Sequence, residues 1–283
     1  MSRSTILRSL VVVGAASLAL SACSSGDSSS DTSASPSAET SVAQGDGALK
    51  IGTLLPQTGS LAFLGPPEFA GVNLAAKDIN AAGGVLGKNV DVVIGDSGDT
   101  STNIASQTVD RQLSQGVDAI IGAASSSVSL TVIDKITSAG VQQVSPANTS
   151  PEFSTYPDKG LYARTAPPDT FQGQVSGDLV AGDGHSTLAI LALDDAYGTG
   201  LADNVEKAFT AAGGQVVSKQ IYDPKATSFE AEVSEAKASN PEAVVLIGFD
   251  ESSKVIQEMI KQGIGPNKVP LYLVDGNLSN TLY

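Results

Sequence analysis

The 283-residue chain contains one cysteine, one histidine, two methionines and no tryptophan, and aromatic residues make up 5% of it. The lone cysteine, Cys23, excludes a disulfide within the chain, so the fold has to rest on its apolar core. One cysteine and one histidine are too few for a structural zinc site, and no His, Cys and Asp set stands at metal-ligand spacing, so no metal or other cofactor is expected. Basic residues are also scarce: 16 Lys and Arg face 30 Asp and Glu, a net charge of −14. Phosphate backbones are held by clustered Lys and Arg, and none cluster here, which argues against nucleic acid as a partner. Beyond residue 22 no apolar run approaches the ~20 residues a membrane-spanning helix needs.

The N-terminus is distinct from the rest. Arg3 and Arg8 form a short positive region, and the apolar stretch Ser9–Leu20 that follows is too short for a span but suits a secretory signal core. It ends Leu20-Ser21-Ala22-Cys23, which resembles the bacterial lipoprotein box, in which the cysteine is lipidated and becomes the mature N-terminus. The alternative is a plain signal peptide with a chance cysteine. The lipoprotein reading gives a signal peptide over 1–22, then a lipidated Cys23 and a Ser-, Asp- and Thr-rich tether over 23–47. That tether has almost nothing to bury and is expected to be disordered. The protein would sit on the outer face of the cell membrane, anchored through the lipid on Cys23.

From residue 48 onward, short β-rich runs alternate with amphipathic stretches. Strands are expected at Leu49–Leu55, Asn89–Ile94, Asp118–Ile121 and Val141–Val144, and helices at Pro66–Ala82, Thr102–Leu113 and Ser129–Ser138. The first helix places Phe69, Val72, Ala76 and Ile79 on one face, with Pro66 and Pro67 in its first turn. The segment 148–168 carries four prolines and no sustained period, and reads as a crossing. Alternation then resumes, with helices at Thr170–Ala181, Leu201–Ala212, Ser228–Ala238 and Ser252–Gln262 and strands at Thr187–Ala192, Gln215–Tyr222, Ala243–Ile247 and Leu271–Val274. Leu201, Val205, Ala208, Phe209 and Ala212 are expected inward. Repeated βαβ units imply an α/β fold of two Rossmann-like lobes, 48–164 and 165–283, each a parallel sheet flanked by helices.

Ligands of open parallel sheets bind beyond the carboxyl ends of the strands, so the polar residues there are the candidates. Gly122–Ser127 follows the third strand and opens a helix, where hydroxyls and free N–H groups suit an anion such as a carboxylate, or simply cap the helix. Ser145–Pro151 is a second hydroxyl-rich turn with the same two readings. Tyr197 reads as a cleft aromatic or a surface side chain, Phe249 as a ligand cover or a core cap, and Asp275 as a partner for an ammonium or a turn residue.

These residues carry a resemblance. The chain resembles the type I periplasmic binding proteins of the leucine/isoleucine/valine-binding family, which feed branched-chain amino acid ABC transporters. The matching stretches are Ile51–Gly65 (IGTLLPQTGSLAFLG), Gly71–Gly87 (GVNLAAKDINAAGGVLG), Val144–Phe153 (VSPANTSPEF), Asp194–Val205 (DDAYGTGLADNV) and Asn240–Gly248 (NPEAVVLIG). The resemblance implies that Ser126, Ala147 and Thr149 hold the α-carboxylate of an amino acid, and that Thr149 and Asp275 hold its ammonium. It also implies cleft aromatics at Tyr197 and Phe249, and ligand side-chain contacts near Phe63 and Leu64. Asp275 stands where the family usually has a longer Glu, and Leu64 where an aromatic is common, which leaves room for an amide or another small polar solute. Family members continue past the position of Tyr283, so the resemblance also implies a second lobe that is cut short. Partners implied are an amino acid or similar small molecule and the permease subunits of a transporter.

Two other functional classes fit the sequence less well. Gly95-Asp96-Ser97-Gly98 spells a serine-protease nucleophile motif, but the only histidine, His185, follows it in the chain and falls in a turn, and a triad needs that base. No Walker loop or dinucleotide fingerprint is present either, so no enzyme is expected. A ligand-sensing domain of a signalling system would share this fold; the expected lipid anchor and long tether favour delivery to a transporter instead.

Overall fold

The computed structural model describes residues 45–278. They form two parallel sheets with helices between the strands. The first runs in the order β2-β1-β3-β4-β5, from β1 (Lys50–Leu54), β2 (Asp91–Val93), β3 (Ala119–Gly122), β4 (Gln142–Ser145) and β5 (Tyr162–Arg164). Its helices are α1 (Gly65–Ala81), α2 (Ile104–Ser114) and α3 (Ser126–Ser138). The second sheet runs β7-β6-β8-β9, from β6 (Thr187–Leu193), β7 (Gln215–Tyr222), β8 (Ala243–Ile247) and β9 (Leu271–Leu273). Its helices are α4 (Asp169–Gly182), α5 (Ala196–Ala211), α6 (Glu230–Ala238) and α7 (Ser252–Gln262). Every pairing within both sheets is parallel, as the βαβ alternation requires.

In the central strands of the second sheet, β6 is apolar after Thr187 and β8 throughout, and every residue of β8 is buried, because helices cover both faces. Their side chains pack with Leu201, Val205 and Phe209 of α5, Val233 of α6 and Met259 of α7. A smaller cluster forms under the first sheet around Leu54, Val109, Ile120, Val132 and Ile136. Leu61 and Ala124, which follow first-sheet strands, join the second sheet's cluster, so apolar packing crosses between the two lobes.

Four expectations need correction. The segment 148–168 is not all crossing: Tyr162–Arg164 forms β5, paired along β4. It is three residues long and lies between Pro157 and Pro167, so no period of two had room to show. Helix α5 starts at Ala196, five residues before the expected Leu201, because the Asp195 carboxylate caps it by accepting the Gly198 N–H at 2.7 Å. Ala212 lies past the end of α5 and is exposed. In α1, of the four apolar residues assigned to one face, only Ala76 is buried, and Ile79 is 37% exposed. Cys23 and residues 1–44 lie outside the described residues.

Helices α4 and α5 pack closely through glycine. A Cβ on Gly177 would stand 2.6 Å from Ala208 Cβ, and one on Gly173 would collide with Asn204 Cβ. Alanine normally favours a helix over glycine by about 1 kcal/mol. Overpacking costs about 1–3 kcal/mol and outweighs that gain. Gly177→Ala is therefore expected to lose about 1–2 kcal/mol in urea denaturation. A variant as stable as the parent would mean that α4 and α5 can separate at no cost.

Candidate functional site

The turns after β3 and β4 are stapled to each other. Ser145 Oγ donates to the Ala123 carbonyl at 2.6 Å and accepts the Asn148 N–H at 2.9 Å. Asn148, fully buried, donates from Nδ2 to the carbonyls of Ala123 and Ala124 and accepts from Tyr162 Oη. The strand β5 that sequence periodicity misses thus helps to hold this turn through Tyr162.

Two consecutive serines at the start of α3 divide the work. Ser125 is the cap, its side chain accepting the Val128 N–H. Ser126 is not a cap: its Oγ accepts the N–H groups of Thr149 and Ser150 at 3.3 and 3.2 Å. A hydroxyl that accepts two bonds still has its proton to donate. The backbone N–H groups of Ser126 and Ser127, in the first turn of α3, have no intrahelical acceptor. Hydroxyl and N–H donors therefore converge beside the Thr149 turn.

The opposite wall comes from the second lobe. Tyr197, 4% exposed in the first turn of α5, stacks on Phe249 with ring centroids 5.4 Å apart. Its hydroxyl donates to Asp275 Oδ1 at 2.8 Å. The same oxygen accepts from Gln172 Nε2 at 3.0 Å and from the Gly276 N–H at 2.8 Å. Burial first, then the Asp275 charge, push the Tyr197 phenol well above its ordinary pKa, so it stays a donor.

A cavity of about 180 Å³ lies between these walls. All eight expected residues line it: Phe63, Leu64, Ser126, Ala147 and Thr149 from the first lobe, and Tyr197, Phe249 and Asp275 from the second. Tyr197 is accordingly a cavity aromatic and not a surface one. Phe249 lines the cavity and also packs on the second-lobe core. Leu61, Ala124, Ser125 and Gly276 complete the lining, and no Lys or Arg contributes to it among the described residues.

Two residues that support the site escaped the sequence. Gln172, on α4, reaches Asp275 across 103 positions of sequence. Asp169, the first residue of α4, is fully buried beside Thr149, whose carbonyl accepts the Asp169 N–H at 2.8 Å. After Pro167-Pro168, an acid in a first helical turn reads as an ordinary dipole partner, which hid it.

The motifs set aside earlier are structural. Asp96 accepts from the N–H groups of Gln57 and Gly98 and from the Thr58 hydroxyl, and so ties the loop after β1 to the loop after β2. Burial works to raise its pKa, but these bonds together outweigh burial and lower it. His185 lies edge-on to Tyr272, with ring centroids 6.0 Å apart.

The profile of the periplasmic binding protein family matches residues 48–281. The chain belongs to that family. Among its curated relatives, the leucine-, isoleucine-, valine-, threonine- and alanine-binding protein of Pseudomonas aeruginosa is 29% identical over 216 residues, covering 76% of this chain and 57% of that protein. A Leu/Ile/Val-binding protein homolog of Brucella abortus is also 29% identical, covering 83% of this chain and 62% of its own length. This periplasmic binding protein thus spans about three fifths of the length of the curated relatives it matches. Among solved structures it is similar to the branched-chain amino acid transporter substrate binding protein of Streptococcus pneumoniae in complex with isoleucine. That match has 28% identity and a TM-score of 0.68, and covers 81% of this chain and 64% of the other. A type 1 periplasmic binding protein of Bordetella pertussis gives 25% identity and a TM-score of 0.73, covering 82% and 63%. The relatives named are binding proteins, and membership of the periplasmic binding protein family implies an extracytoplasmic location.

Ser126→Ala removes the acceptor of two buried N–H groups. It is expected to destabilise the ligand-free binding protein by about 1–3 kcal/mol in chemical denaturation. An unchanged midpoint would mean that Thr149 and Ser150 find another acceptor and that Ser126 does not hold the turn.

Proposed function

We propose that this chain is the solute-binding component of an ABC uptake transporter and captures a branched-chain or related amino acid between its two lobes, 48–164 and 165–283. The observation that carries the reading is the polarity of the cavity. Hydroxyl and N–H donors at Ser126 and the Thr149 turn stand on one side, the Asp275 carboxylate on the other, and Leu61, Phe63, Leu64 and Phe249 contribute apolar surface. An α-amino acid has the matching pattern of carboxylate, ammonium and aliphatic side chain.

In this reading the carboxylate takes the Ser126 hydroxyl and the N–H groups at the start of α3, where a helix N-terminus favours negative charge. The ammonium takes Asp275 and the Thr149 hydroxyl. Asp275 Oδ1 already has three donors, which leaves its other oxygen for the ligand. Each lobe supplies half of the site, so bound ligand favours the closed arrangement, and permease subunits would read that form. The relatives named for leucine, isoleucine and valine support this ligand class. Lipidation at Cys23 rests on the Leu20-Ser21-Ala22-Cys23 sequence and would keep the protein at the membrane face where the transporter works.

The test is a thermal shift of the full chain with leucine, isoleucine, valine, polar amino acids and simple amides. A ligand at a hundredfold its dissociation constant adds about 2.7 kcal/mol. Branched-chain amino acids are expected to raise the melting temperature, and Asp275→Ala to abolish that rise. A melt unmoved by any amino acid would sink the ligand class, and an undiminished shift in Asp275→Ala would remove that residue from the ammonium site.

A further inference from the structure

Asp169 supports the Thr149 turn through its backbone N–H, but its side chain has no role in the site as described, and its environment is unusual. It is fully buried, and neither of its carboxylate oxygens has a hydrogen-bond partner among the described residues. The Thr149 hydroxyl stands beside it but outside hydrogen-bonding geometry. A buried ionised carboxylate without partners is costly, and the usual relief is to keep the proton.

The groups around it reinforce this. The Asp275 carboxylate, in the turn after β9, and more weakly the Asp195 carboxylate, at the cap of α5, both disfavour a further negative charge. Arg164, on β5, and Thr149 act the other way. Arg164 donates to the Ser150 carbonyl and to Ser154 Oγ, so its guanidinium is shared. Tyr197, on α5, is neutral and donates to Asp275. Burial, the largest effect, and the two acids together push Asp169 up to about 7.

We propose that Asp169 is a proton-linked recognition group, which holds its proton in the empty site and gives it up when a cationic amine seats on Asp275. This rests on the amino acid reading of the cavity. An ammonium on Asp275 cancels the repulsion that Asp275 exerts on Asp169 and adds attraction through the Thr149 wall. The acid that is neutral in the empty site becomes a second negative charge beside the Thr149 turn. The carboxylic O–H of Asp169 breaks, its electron pair stays on the carboxylate, and below about pH 7 up to one proton passes to solvent for each ligand bound.

The direction with pH follows from linkage. Above about 7, Asp169 is ionised with or without ligand and affinity is level. Between the lower pKa of the bound form and about 7, binding releases a proton, so affinity rises with pH by up to about tenfold per unit. In the ligand-free protein the sign is reversed. A folded-state pKa raised above the unfolded value of about 3.9 means that Asp169 costs stability increasingly as pH rises from about 4 to 7.

Two measurements on the full chain and its Asp169→Asn variant test this. The first needs no ligand: urea midpoints are followed from pH 5 to 8. The difference between the two proteins is expected to move in favour of the variant as pH rises, and a difference constant with pH overturns the proposal. The second is calorimetric titration with leucine from pH 5.5 to 8. The parent is expected to tighten severalfold and Asp169→Asn to lose that slope; equal slopes overturn the proposal. Leucine bound at no pH overturns the amino acid reading and the linkage with it, while the urea comparison still reports whether Asp169 carries the proton.

Discussion

The two sides of the cavity meet in a small polar contact between Ser127 and the first turn of α5. Ser127 Oγ donates to Asp195 Oδ2 at 3.1 Å and accepts the Ala196 N–H at 3.0 Å. The other oxygen of Asp195 caps α5 through Gly198. The N-termini of α3 and α5 therefore meet on a single carboxylate. Each helix end carries about half a positive charge, and two such ends brought together repel unless an anion lies between them. Burial pushes the Asp195 pKa up, while the Gly198 N–H, the Ser127 hydroxyl and the Tyr197 N–H oppose the rise. The apolar part of the closure lies next to this contact, where Leu61 and Ala124 of the first lobe pack into the second-lobe core.

From that contact the polarity of the cavity follows. With α3 and α5 joined at their first turns, Ser126, one residue before Ser127, and Tyr197, two residues after Asp195, are forced to opposite sides of the same space. Ser126 brings the Thr149 turn with it through two N–H bonds, and Tyr197 brings Asp275 and Phe249. A donor-rich wall and an acidic wall thus face each other across one cavity, the arrangement on which the proposed α-amino acid ligand rests.

Much of this was legible before any coordinates. Strands Gln215–Tyr222 and Ala243–Ile247 and helix Ser252–Gln262 have the bounds the sequence leads one to expect; Ala243–Ile247 is a continuous apolar run, as a buried parallel strand is, and Ser252–Gln262 has one apolar face. The eight cavity residues were legible because parallel sheets fix where ligands bind, and because the motifs around them matched a family whose site is known. The remainder depends on distant partners. Gln172 acts only because α4 passes the turn after β9, and the isolation of Asp169 is a property of its surroundings that its own sequence does not record. The exposed face of α1 shows the opposite failure: Phe69, Val72 and Ile79 have helical spacing, and among the described residues nothing covers them fully.

A second row of contacts holds the cavity's polar groups and aromatics in place. Phe249 is held in its turn because its N–H donates to Glu251 Oε1 at 2.9 Å, and Tyr222 Oη shares its proton between that oxygen and the Ile247 carbonyl. The turn carrying Asp275 is held from behind: Asn277 accepts the Val274 N–H at Oδ1, and its Nδ2 donates to Ser252 Oγ at 2.6 Å. Asn277 and Ser252 are fully buried, and Tyr222 is 1% exposed, so these bonds do not compete with water. Ordering a rotamer-rich side chain on binding costs about 0.5–1.5 kcal/mol, and here folding has already met most of that cost. The acid at position 275 is shorter than the residue the resemblance leads one to expect, but three donors fix it before any ligand arrives. What a longer side chain would gain in reach, this site gains in preorganisation.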